Sequence, residues 1–393
     1  MVYGILKDKK DGEYRVVTTP EGVRTITSRG HRVLLERDSG AMAGFANDEY
    51  VAAGAEVVNT EKELFSACDL VAKVKEFTPK ELLFAREGQI LLGCLHPAAN
   101  PDEVDALLKS RCIAFTAEDS HRSGSPNCEA AGKQGALFGL ESLLTISGGK
   151  GKYVGGFAGA PGVRALILGS GQVGEGALSV LYALGASITV MDIDLGILRS
   201  MSYKYPGIDT VMCTKDSIKK LLPNTDLVLN CVKWQKERKD FLIDREMLSL
   251  MEKGSVIVDI SNDDPGAIET SRPTSFEAPR YTIDGVVHFC VSNIPSAVAN
   301  TASLAYSAEM LPFVLSLLDK GVEKTCKENG YYRRSLTVYK GFLTHEETSA
   351  LQNKPWIRPE TILDLNAADC AVAPPQSNTR SNIFIKIDGK SKS

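Results

Sequence analysis

The sequence predicts an α/β protein of two doubly wound domains, each on a parallel sheet, with a cleft between them. Three observations carry this. A β-rich run at 165–168 leads straight into Gly169-Ser-Gly171-Gln-Val-Gly174, and an apolar helical pattern follows. A second run, from Ala186, ends on Asp192, eighteen residues beyond Gly174. Strand-like and helix-like segments also alternate through residues 1–125, a rhythm of their own ahead of the glycines. At 393 residues the chain is long enough for two domains of ordinary size.

Residues 3–6 read as the opening strand, and Thr19-Pro20-Glu21 as a helix start, since Pro fits a first turn whose N–H has no partner. That helix stops at Gly30. Residues 32–36, 69–74, 89–93 and 112–116 read as further strands, with helices at 61–66 and 101–109. A helix at 128–144 and a glycine-rich loop at 148–162 precede the fingerprint strand. The strand ending at Asp192 and those at 209–213, 226–232, 255–260 and 285–291 complete a six-stranded sheet. The apolar-periodic stretch 297–320 reads as one helix that carries the chain back to the first domain. The expected organisation is a discontinuous substrate domain, 1–127 with 305–393, around a dinucleotide-binding domain, 128–304. Residues 374–380 read as loop and 389–393 as disordered.

In a dinucleotide fold the first glycine permits the tight turn, the second lets backbone approach a pyrophosphate, and the third lets helix pack on strand. Gly169, Gly171 and Gly174 take these places, and the helix N-terminus offers N–H groups to the phosphates. Asp192 is spaced to accept hydrogen bonds from a ribose 2′-hydroxyl and to repel a 2′-phosphate, so NAD is expected over NADP.

The rest of the composition narrows the function. A formal charge of −4 without a basic stripe argues against nucleic acid as the main partner. No apolar run approaches the roughly 20 residues that span a bilayer. Nine scattered cysteines without a C-x-x-C pair indicate neither a disulfide framework nor a metal site. The N-terminus reads as a strand rather than a signal peptide, and a cytoplasmic location is the expectation. Hydride transfer to a 2-oxo acid or its imine needs a cation for the carboxylate and a proton donor beside the nicotinamide. Arg15, Lys75 and His96 each follow a predicted strand of the first domain, where open α/β sheets collect ligands.

The chain resembles the alanine dehydrogenase and pyridine nucleotide transhydrogenase family over 1–355. The resemblance is carried by Gly12-Glu-Tyr-Arg15-Val, Lys73-Val-Lys-Glu76, Leu95-His96, the fingerprint, Gly254-Ser-Val-Ile-Val-Asp259 and Glu269-Thr-Ser-Arg-Pro-Thr. Asp284-Gly-Val-Val-His288 through Asn293 and Val338-Tyr-Lys-Gly-Phe-Leu-Thr extend it. It implies that Arg15 grips the substrate carboxylate, Lys75 bonds the oxo acid and His96 is the general acid and base. It further implies Asp263 as the second catalytic group, with Asp264 as the alternative occupant, and Val291 and Asn293 beside the nicotinamide. His288 reads as structural. Homo-oligomers are the family habit.

Three departures stand out. Cys94 replaces a usual aromatic two residues before the histidine, Cys128 replaces a serine that touches the cofactor, and Ser261-Asn-Asp-Asp-Pro-Gly replaces Ala-Ile-Asp-Gln-Gly-Gly. A thiol at 94 is expected to open room beside the substrate. The leading function is therefore an NAD-dependent oxidoreductase on CH–NH2 groups, reductively aminating a 2-oxo acid with ammonia. The alternatives are an opine-type synthase, as in N5-(carboxyethyl)ornithine synthases and saccharopine dehydrogenases, which uses an amino-acid amine, and a non-catalytic NAD sensor.

Overall fold

Buried runs such as Val-Leu-Leu at 33–35 and Ala-Leu-Ile-Leu at 165–168 carry no polar alternation, so their strands must be covered on both faces. The computed structural model, which describes residues 1–122, 124–234, 238–262 and 266–372, meets that requirement twice. Met1–Ser125 with Ala299–Ser393 form one compact unit, and Pro126–Val298 form the other.

In chain order the first unit supplies β1 (Val2–Ile5), β2 (Arg32–Glu36), β3 (Ala55–Val58), β4 (Leu70–Ala72), β5 (Ile90–Gly93) and β6 (Ile113–Thr116). The second supplies β7 (Arg164–Leu168), β8 (Ser187–Asp192), β9 (Asp209–Met212) and β10 (Leu227–Asn230). It adds β11 (Val256–Asp259), β12 (Arg280–Ile283) and β13 (Val286–Phe289), and the chain then returns to the first unit for β14 (Leu336–Tyr339) and β15 (Phe342–Leu343).

The first sheet runs β15-β14-β6-β5-β4-β1-β2-β3 and the second β12-β13-β11-β10-β7-β8-β9. Within each, six strands are parallel in the doubly wound order 3-2-1-4-5-6, counted from the unit's first strand. Apolar clusters lie on both faces of each sheet, with helices as the outer layers. The expectation of purely parallel sheets needs amendment: β14 is antiparallel to β6, β15 to β14, and β12 to β13. These additions were illegible because β12 is half-exposed and β15 spans Phe342–Leu343 alone. An edge strand need not carry a continuous apolar signal.

The helix Pro126–Ser142 buries Gly132, Gly135 and Gly139 on one side. A Cβ on Gly132 would collide with the carbonyl oxygen of Val173, so this helix and Gln172–Ala183 meet backbone to backbone. The long helix Ala299–Glu328 extends beyond the expected end at 320, but it is two helices joined at Gly321, whose φ of 75° and ψ of 177° are non-helical. The break falls where the sequence pattern stopped. Contrary to the sequence reading, Ile294–Glu328 is long and apolar enough to cross a membrane by length and composition. Half of its most apolar window is buried, and Tyr306, Met310, Phe313, Val314 and Leu317 pack into the first unit's core. That is the environment of a core helix.

Candidate active site

In the second unit, β7 ends at Leu168 and the chain turns through Gly169, at φ 82°. A side chain there is strained by backbone geometry, and its Cβ would sit 3.0 Å from Val232. A Cβ on Gly174 would overlap the carbonyl oxygen of Gly169, so strand and helix can approach this closely only with glycine. Among the described residues, nothing lies within 4 Å of a Cβ built on Gly171, at the N-cap of Gln172–Ala183. Tight turn, close packing and open backbone therefore occur where a dinucleotide needs them. Asp192 ends β8 nearly buried. One carboxylate oxygen accepts from Ser170 N at 2.8 Å and Ser170 Oγ at 2.9 Å, and the other accepts from the N–H groups of Ile193 and Asp194. The acid thus fixes the fingerprint loop from the neighbouring strand.

At the carboxyl ends of β10, β11 and β13 lies a polar network. Asp259 Oδ1 accepts from Asn230 Nδ2 at 2.8 Å and from the backbone of Asn262 at 3.0 Å, and burial raises its carboxyl. Asn262, at φ 45°, donates through Nδ2 to the Cys290 carbonyl at 2.8 Å and to Ser292 Oγ at 3.0 Å. The clamp ties the turn after β11 to the segment holding buried Val291 and half-buried Asn293, which has φ 72°. Asp263 and Asp264 lie outside the described residues. Cys128 is half-buried in the first turn of Pro126–Ser142. His288 has a partner at both ring nitrogens, Val286 O at 3.0 Å and Thr270 Oγ1 at 2.8 Å, and burial lowers its basicity, as befits a structural residue.

In the first unit, residues 6–19 separate β1 from the helix Pro20–Ser28, and this long connection carries Arg15. Arg15 is buried with its guanidinium held two-pronged by Glu13, Nε to Oε1 at 2.8 Å and Nη2 to Oε2 at 2.6 Å. Burial alone would weaken the cation, and the Glu13 bonds outweigh it, so its pKa is raised. Lys75 follows β4, half-buried, with its backbone N–H on Asp8 Oδ2 at 2.8 Å. Glu76 beside it is held below its ordinary value despite burial, because Lys75, His96 and Lys10 surround it.

Cys94 and His96 follow β5. His96 adopts the left-handed conformation, φ 45° and ψ 52°, immediately before the short helix Pro97–Ala99. Its backbone donates to Glu118 Oε1 at 2.7 Å, and its Nδ1 lies 3.3 Å from the same oxygen. The imidazole is 45% exposed, accessible to a ligand. Cys94 is buried with its Sγ 3.3 Å from the Tyr306 hydroxyl. Burial pushes the thiol up to about 12; Glu118 adds to this, while Lys75, Tyr306 and Arg15 oppose it. Such a thiol is not a nucleophile near neutrality. Arg15, Lys75, Cys94 and His96 are thus electrostatic neighbours in the connections that leave the carboxyl ends of β1, β4 and β5.

Sequence reasoning missed Glu13, Glu118 and Tyr306. Glu13 had a signal, because residues two apart in extended chain share a side. Glu118 follows β6 by the same strand-end logic that found His96. Tyr306 had none, sitting in an apolar-periodic helix like any core residue.

These features define a class: a protein of two doubly wound units, one with a dinucleotide-type glycine turn and the other with cations and a histidine after the carboxyl ends of its strands. Matches to known proteins narrow it. Residues 4–130 match the alanine dehydrogenase/PNT N-terminal domain and residues 135–346 the C-terminal domain. The chain is 36% identical to an alanine dehydrogenase of Halomonas elongata, over 92% of this chain and 100% of that protein. It is 34% identical to one of Methanococcus maripaludis, over 93% and 100%. A solved L-alanine dehydrogenase superposes with a TM-score of 0.83 at 31% identity, covering 90% of this chain and 99% of that one. The chain belongs to the alanine dehydrogenase/PNT family.

Proposed function

We propose that this chain is an NAD-dependent oxidoreductase of the alanine dehydrogenase type, interconverting an amino acid and its 2-oxo acid with uptake or release of ammonia. The observation that carries the reading is the grouping of Arg15, Lys75, Cys94 and His96 in the connections after β1, β4 and β5, in a chain whose relatives are named alanine dehydrogenases. NAD would be held by Gly169, Gly171, Gly174 and Asp192, with Cys128, Val291 and Asn293 lining its far end. When bound, it supplies the hydride acceptor or donor.

The protein's own groups do the rest. Arg15, oriented by Glu13, bonds the substrate carboxylate, and Lys75 bonds the oxo oxygen or the carboxylate. His96 moves protons through its imidazole, which is 45% exposed and has Glu118 Oε1 at 3.3 Å from Nδ1. Asp263, by the family resemblance, steadies the positively charged imine of the substrate. Residues 1–127 with 305–393 would bind the oxo acid and 128–304 the cofactor, in a cytoplasmic homo-oligomer.

The test follows NADH absorbance with purified protein and a series of 2-oxo acids, offered with ammonia or with ornithine, lysine or arginine. Turnover with ammonia is the expected result. Turnover only with an amino-acid amine would replace this reading with an opine-type synthase, and NADH binding without oxidation would favour a sensor.

A further inference from the structure

We infer that Tyr306, rather than Cys94, sets the length of 2-oxo acid side chain that the site accepts. The inference rests on the reading that Arg15 and His96 hold and protonate an oxo acid. A cysteine two residues before the histidine leaves a gap that a longer side chain would fill. Here that gap is filled from another element. Tyr306, on the helix Ala299–Glu328, brings its hydroxyl to 3.3 Å from Cys94 Sγ and is itself fully buried. Its phenol lies close enough to Arg15 and Glu118 to feel both charges, and burial raises it well above its ordinary range. The ring therefore backs the group that would meet the substrate.

The helix that bears the ring is also fixed. Ser303 and Ser307, on the same helix, accept from the backbone N–H groups of Val16 and Thr19 at 3.0 Å each, pinning the segment that bears Arg15. The His121 ring stands 6.4 Å from that of Tyr306, and Glu309 meets its Nδ1 at 3.3 Å. Swinging the phenol aside would break this packing, so the space stays closed to a longer chain. The accepted class is a 2-oxo acid with a short side chain, in spite of the small residue at 94.

The experiment compares kcat/KM for pyruvate and 2-oxovalerate, with ammonia and NADH, in the wild type, Cys94→Ala, Tyr306→Phe and Tyr306→Ala. Tyr306→Ala should move the ratio toward the longer acid by about tenfold or more, the scale set by methylenes in an apolar pocket. Cys94→Ala and Tyr306→Phe should move it by less than about threefold on that scale. If Tyr306→Ala does not fold, Tyr306→Leu carries the test with the same expected direction. A large shift in Cys94→Ala, or an unchanged ratio in Tyr306→Ala or Tyr306→Leu, overturns the inference. The same ratio is measured without turnover from Kd values of the two acids, titrated calorimetrically into the protein with NADH. A silent assay would then count against the proposed reaction, while the Kd ratios still decide the role of Tyr306.

Discussion

The two units share a strand order but treat the connection after their first strand differently. In the second unit Gly169–Gly171 is all that separates β7 from its helix, so the helix N-terminus lies against the strand end. Backbone N–H groups can then meet an anion. In the first unit residues 6–19 intervene, and the helix start at Pro20 is carried away from β1. Cations there must come from side chains, and Arg15 and Lys75 provide them. One topology thus offers backbone N–H groups in one unit and side-chain cations in the other, decided by loop length.

The sharpest way to break this comparison is Arg15→Lys. A lysine cannot reproduce the two-pronged geometry, so kcat/KM for the oxo acid should fall about 100-fold, close to 3 kcal/mol, with the NADH Kd unchanged. Steady-state kinetics beside NADH fluorescence titration would check it, and an equal loss of NADH affinity would erase the division of labour.

Next comes a pair of glycine variants. Gly174→Ala should destabilise the protein by about 1–3 kcal/mol and weaken NADH binding, because its Cβ has no room. Gly171→Ala, with open space around it, should stay within about 0.5 kcal/mol of wild-type stability and lose NADH affinity alone. Urea midpoints read beside NADH Kd separate the two effects.

A smaller effect comes from the opposite end of the second sheet. Asp226 is buried and accepts from Lys150 at 2.8 Å, Lys152 at 2.7 Å and Arg164 at 2.9–3.3 Å. Burial would raise its carboxyl, but these donors hold it well below the usual range. Its stabilisation is present above the unfolded carboxylate value and fades as pH falls. Asp226→Asn should cost about 2 kcal/mol at pH 7 and less in acid, measured by thermal unfolding.

Glu103, in the first unit, sets a pH dependence of the opposite sign. Its carboxyl is buried and pushed up to about 9, chiefly by burial. The folded state keeps a proton that the unfolded chain loses above about 4.5, so stability should decline from there to about 9 and then level off. Glu103→Gln should flatten that decline, and urea midpoints at pH 6 and 9 would detect it.

Much of this was legible beforehand because local chemistry requires it. The turn at Gly169, the strand end at Asp192 and the break after residue 320 follow from backbone sterics and periodicity. Arg15, Lys75 and His96 lie in the connections after β1, β4 and β5, as their positions in the sequence implied, and the roles expected of them come from the family resemblance. The strands β3, β12 and β15 could not be picked out, since an edge strand is stabilised by pairing with a distant neighbour rather than by its own apolar pattern. Asp263 stays outside the described residues, and its role rests on resemblance.

What the sequence determined by itself is what sits within a few residues of chain: doubly wound units, a glycine turn suited to a dinucleotide, and family membership written in ordered segments. What only the tertiary structure decided is which distant side chains share a space. Glu118 reaches His96 across the ends of two strands, and Tyr306 reaches Cys94 from 212 residues away. The expected opening at Cys94 is filled for that reason: pocket volume is set by every element that packs around a position, and no local pattern records it.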